Sequence, residues 1–115
     1  MAARKAPAAK AAGAPEPSPA PAEYEVVGDA LVCHPYDDLR LSLVVPMPVV
    51  ERWTEINATA KTWREQIAAW QAEVIPADVL ATIKAVTEGD GIAEIALCRQ
   101  WSDGLDVRLG KALSS

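Results

Sequence analysis

The residues most able to do chemistry sit close together near the start of the foldable chain. Cys33 is followed directly by His34, the single histidine, with Asp37 and Asp38 just beyond. A Cys-His pair can activate a thiolate, and thiol, imidazole and carboxylate are all metal ligands. The spacing argues against both uses. Neighbouring side chains on an extended chain point to opposite faces, so Cys33 and His34 do not converge on one ion, and no second Cys/His pair completes a four-ligand set. Cys33 therefore reads as a small core residue and His34 as a surface turn residue. Asp37-Asp38 and Asp103-Asp106 are carboxylate pairs that solvated turns explain. Gly89-Asp90-Gly91 has neither the spacing nor the preceding strand of a phosphate-binding loop. The expectation is a protein without catalytic residues, without a cofactor and without a metal.

The informative oddity is aromatic usage: four tryptophans and no phenylalanine. Trp53, Trp63 and Trp70 fall in one series with Val49, Ile56, Ala60, Ile67 and Val74, which advances in alternating steps of four and three. This a/d pattern is helical and strand spacing cannot produce it. Pro48 suits a first helical turn, and Pro76 ends the helix near Val74 or Ile75. A continuous helix over that span is about 40 Å long. Its weak point is Asn57-Ala58-Thr59, where poor helix formers can split it in two, with Thr59 as the cap of the second piece.

Two readings of the tryptophan series stand side by side. Trp stripes at helical spacing pack inward as core, here against the remaining elements. The seam is also longer than those elements easily cover, which leaves part of it for a partner helix. Tryptophan suits that role, since it gives large contact area at low entropy cost and dominates interface hot spots. On this second reading Trp53, Trp63, Ile67, Trp70 and Val74 are the partner-binding residues.

Other elements position the seam. Tyr24–Val27 and Ala30–Cys33 flank Gly28-Asp29, a two-residue turn that tolerates positive φ, and form a β-hairpin. Leu39, Leu41 and Leu43 share one face of a third extended segment that closes at Pro46 and Pro48. After the long helix, Val79, Leu80, Ile83 and Val86 make the stripe of a shorter helix from about residue 76 or 78 to Thr87, ended by Gly89-Asp90-Gly91. A last helix runs from Ile92 to about Leu105, with Ile92, Ile95, Ala96, Cys98 and Trp101 buried and Gly104 interrupting it. The tail from Leu105 alternates apolar residues at Leu105, Val107 and Leu109. The fold class expected is α+β, mainly helical: a small N-terminal β-hairpin, one long amphipathic helix and two shorter ones.

Domain organisation follows from composition. Residues 1–22 contain only Ala, Pro, Lys, Arg, Gly, Ser, Glu and the initiator Met. They cannot bury enough apolar surface to offset ordering entropy, so a disordered arm precedes a single small domain over residues 23–113. That domain divides into the hairpin and extended segment at 23–45 and helices at 46–113. Its core is modest and invites completion by a partner or a second copy. The arm is mildly basic through Arg4, Lys5 and Lys10, while the domain is acidic within a chain of net charge −5. Nucleic-acid binding needs clustered Lys and Arg, so it is not expected. No apolar run reaches the length of a membrane span, and none marks a signal peptide. Two distant cysteines point to reduced thiols in a cytoplasm.

In layout the chain resembles tail assembly chaperones of siphophages, particularly those infecting actinobacteria. The matching parts are the leader Met1-Ala2-Ala3-Arg4-Lys5-Ala6-Pro7, the hairpin from Tyr24 to Cys33, the Trp-containing helices, and the ending from Trp101 to Ser115. Members of that family are commonly made in short and extended forms by a backward ribosomal slip. A slippery heptamer of the type G-GGA-AAG encodes Gly-Lys, and Gly110-Lys111 stands close to the end. The resemblance implies a protein of the host cell cytoplasm, absent from the finished particle. It would bind and solubilise the tape measure protein and help recruit tail tube subunits, with self-association also open. A structural virion component, such as a head–tail connector or minor tail protein, is the alternative. A small cellular helical adaptor is the third.

Overall fold

The computed structural model describes residues 22–114; the expected arm lies almost wholly outside the described residues. Three short antiparallel strands, β1 (Tyr24–Val27), β2 (Ala30–Cys33) and β3 (Leu39–Ser42), are followed by four helices, α1 (Met47–Thr59), α2 (Trp63–Glu73), α3 (Ala77–Thr87) and α4 (Gly91–Ser114). The fold is α+β and mainly helical.

The sheet has the order β1-β2-β3. Gly28 takes φ +64° at the hairpin, as the first position of a type II′ turn requires. The registers set Tyr24 opposite Cys33 and Cys33 opposite Leu39, and Val26 opposite Leu31 and Leu31 opposite Leu41. One face is therefore apolar throughout, and Leu31, Cys33 and Leu41 on it are buried. Of the extended segment expected to run past Leu43, β3 takes in only Leu39–Ser42, and Leu43 N still donates to Asp29 O at 2.8 Å. Between β2 and β3 a single 3₁₀ turn, His34–Tyr36, leads into Asp37 and Asp38, both in left-handed conformation. Short polar side chains tolerate that region better than most.

The long helix is broken. Ala60 leaves helical geometry with φ −65° and ψ 131°, and α2 restarts at Trp63. The cap of the second piece is Thr62 rather than Thr59. Thr62 Oγ1 accepts from Glu65 N at 3.1 Å, and Glu65 Oε1 accepts in return from Lys61 N at 2.9 Å. This reciprocal arrangement satisfies orphan amides at the start of α2, as a capping box does. The Thr59 hydroxyl instead donates back to Glu55 O at 2.8 Å. Once split, α1 and α2 fold against each other. Arg52 Nε and Nη2 donate to the Glu73 carboxylate at 2.8 and 3.0 Å, and Asn57 Oδ1 accepts from Trp70 Nε1 at 2.9 Å.

The last helix corrects three expectations. Asp90 Oδ1 caps it, accepting from Ile92 N and Ala93 N at 3.0 and 3.1 Å, and it then runs unbroken for 24 residues through Gly104. Gly104 is not an interruption but a point of close approach. A Cβ there would stand 3.2 Å from Leu31 Cδ1 and 3.3 Å from Leu43 Cδ2, so the missing side chain lets α4 settle onto the sheet. The tail is consequently helical rather than extended. The buried face of α4 also differs from the one expected. Leu97, Cys98, Trp101 and Leu105 are buried, whereas Ile92 is 81 % exposed and Ala96 is exposed. Ile92 stands in the first turn, off the face that meets the sheet.

Candidate partner-binding surface

Trp53, Ile67, Trp70 and Val74 are each no more than 5 % exposed, while Trp63 is 54 % exposed. The seam thus divides. Four of its five candidate residues lie in the core, joined there by Trp101. Each buried indole has a partner for its N–H: Trp53 donates to Ser102 Oγ at 2.9 Å, Trp70 to Asn57, and Trp101 to Ser42 O at 2.8 Å. A buried indole left unpaired would cost about 1–3 kcal/mol, so these bonds fix each ring in one pose. Among the described residues Trp63 has no such tie. It stands in the first turn of α2 with the Arg64 guanidinium 5.6 Å from its ring centroid.

A second apolar surface was not singled out by the sequence. A groove of about 180 Å³ runs between the start of α1 and the end of α4, lined by Val45, Val50, Trp53, Leu105, Leu109, Ala112 and Arg108. Trp53 and Leu105 are buried and form its floor, while Val45, Val50 and Leu109 are half-buried walls. Arg108 Nη1 donates to Leu43 O at 3.0 Å, which holds the end of α4 to the segment entering α1. Leu105, Leu109 and Leu113 recur every fourth residue, one stripe of a helix. The stripe goes from buried at Leu105 to 77 % exposed at Leu113. Val44 and Met47, beside the groove-lining residues in sequence, are 54 % and 65 % exposed. The signal was present in that spacing. Reading Gly104 as a break hid it.

The candidate chemical cluster is rearranged. Cys33 is fully buried on the inner sheet face, and burial pushes its thiol up to about 11. Burial likewise raises the thiol of Cys98, and both cysteines are free. Thiols held neutral in this way are poor nucleophiles. His34 faces outward, its Nδ1 2.5 Å from Asp38 Oδ1 and its Nε2 2.7 Å from Glu25 Oε2. The hydrogen bonds to Asp38 and then Glu25 raise it above the usual histidine range. Two carboxylates grip one imidazole and tie β1 to the β2–β3 connection. No group of three His, Cys, Asp or Glu among the described residues is placed to hold a metal ion. No helix of the described residues is long and apolar enough to cross a membrane.

No family model matches the chain, nor does any curated protein or solved structure compared with it.

Proposed function

We propose that this chain is a bacteriophage tail assembly chaperone that binds the tape measure protein in the host cell cytoplasm, keeps it soluble and helps recruit tail tube subunits. The observation that carries the reading is the groove between α1 and α4, whose leucine stripe continues from the core into solvent. An amphipathic helix laid in such a groove is read at positions i, i+3, i+4 and i+7, and a tape measure is a long helical chain with exposed apolar faces. Leu109, Leu113, Val45 and Val50 contact the apolar side of that helix, and Trp63 offers a second contact at the α1–α2 corner. The acidic surface of the domain keeps the complex soluble.

Co-expression tests this reading. The tape measure protein of the same phage partitions into the soluble fraction when this chain is present and aggregates without it. An unchanged soluble fraction overturns the assignment.

A further inference from the structure

The tryptophan series keeps its helical phase through the break between α1 and α2. From Ile56 the steps to Ala60, Trp63 and Ile67 are four, three and four, although α1 ends at Thr59 and α2 begins at Trp63. A permanent corner makes no such demand, because residues on two separate helices need not share one period. The corner contains neither glycine nor proline. Ala60 departs from helical geometry in ψ alone, with φ −65° and ψ 131°, and neither Lys61 nor Thr62 takes positive φ. Straightened, residues 47–73 make one helix about 40 Å long. Trp63, 54 % exposed at the corner, then returns to the seam.

The contacts between α1 and α2 have a symmetry that two copies can share. Arg52 bonds to Glu73, and Asn57 to both Gln66 and Trp70. All three pairs are centred between residues 61 and 64, so the hairpin is antiparallel about that point. Two straight helices laid antiparallel across a two-fold axis at the same point reproduce every pair between copies. Such an interface is isologous, each copy giving and receiving the same contacts. Arg52 of one copy then meets Glu73 of the other, and Asn57 meets Gln66 and Trp70. Trp63 stands beside the axis, next to its own counterpart.

We infer that this chain exchanges its N-terminal half with a second copy, with Ala60-Lys61-Thr62 as the hinge. The strands and α1 of one copy pack on α2, α3 and α4 of the other. The core contacts and the α1–α4 groove therefore re-form between copies, and the exchange gives up little. It adds what the corner lacks. The first-turn amides of α2 gain backbone partners in a continuous helix, and two exposed indoles cover each other. Opposing it is the capping box of Thr62 and Glu65, which holds the hairpin closed.

Light scattering on the full-length chain, refolded from denaturant at low and high concentration, tests this with two hinge variants. The natural chain gives a species of twice the monomer mass, whose share rises with concentration during refolding. Thr62→Ala removes the cap and favours helix, and it strengthens dimerisation by about tenfold or more. Lys61→Gly disfavours the continuous helix in both copies and weakens dimerisation by about tenfold. Arg52→Glu and Glu73→Arg then mark the exchange itself. Each alone sets like charges across the hairpin, and only an exchanged dimer of one with the other restores both pairs. Native mass spectrometry of the two refolded together shows mixed dimers above the share expected from random pairing. Monomers alone in all three hinge proteins overturn the proposal. A dimer of equal strength in all three also overturns it, as do mixed dimers no commoner than random pairing; either result assigns the association to another face.

Discussion

Replacing Trp70 and Trp63 separately by alanine measures which part of the tryptophan series holds the domain together. Trp70 is 2 % exposed and its indole N–H is bonded to Asn57 across the α1–α2 pair. Truncating a buried tryptophan costs about 3–5 kcal/mol, through lost transfer energy and the cavity left behind. In a domain of this size each kcal/mol moves the melting temperature by about 4–8 °C, so Trp70→Ala lowers it by about 12–40 °C. That is a large share of the total stability of a small domain, roughly 5–15 kcal/mol. Trp63 is 54 % exposed, and its ring contact with Arg64 is at an exposed site. Removing it costs about 0.5–1 kcal/mol and shifts the melting temperature by less than about 8 °C. Thermal unfolding followed by far-ultraviolet circular dichroism reads both. Similar shifts for the two variants, or a larger one for Trp63→Ala, refute the division of the seam into core and surface.

Two further predictions concern packing and charge. Alanine at Gly104 or Gly110 brings the same gain in helix propensity, up to about 1 kcal/mol. Only Gly104 is tightly faced, by Leu31 and Leu43, while nothing lies within 4 Å of the Gly110 position. Gly110→Ala therefore raises the melting temperature and Gly104→Ala raises it less or lowers it; equal gains contradict the close approach of α4 to the sheet. His34 has a folded-state pKa above its usual value, so its contribution is present below about pH 6.5 and is lost as pH rises through the raised pKa. The stability gap between the natural chain and His34→Gln is open near pH 6 and narrows as pH rises through the raised folded-state pKa. A gap that widens with rising pH reverses the assigned sign.

How much of this was legible in the sequence depends on whether a residue's meaning was local. The hairpin was, because Gly28 between two apolar runs has few other uses. The helical period of the Trp53 to Val74 series was legible too, and Asn57-Ala58-Thr59 marked the neighbourhood of the break. The cap was placed three residues early, because Thr59 and Thr62 both have a hydroxyl and only Thr62 has Glu65 three positions on. Gly104 misled for a tertiary reason. Glycine inside a helix pattern reads as a stop unless one knows that Leu31 and Leu43, 73 and 61 residues upstream, press against it. The groove was lost with it, since the Leu105, Leu109 and Leu113 stripe exists only if the helix continues. Burial of the seam was equally non-local: periodicity shows that Trp53 and Trp70 share a face but not what covers it.

The central claim is that the α1–α4 groove takes the partner helix. The most direct measurement is the soluble fraction of co-expressed tape measure protein with the variant Leu109→Asp/Leu113→Asp, compared with Ile92→Asp. Ile92 is an equally apolar, exposed residue at the opposite end of α4. With both variants folded, as judged by their melting curves, the groove variant fails to solubilise the tape measure and Ile92→Asp performs as the natural chain does. Equal performance by the two variants contradicts the account.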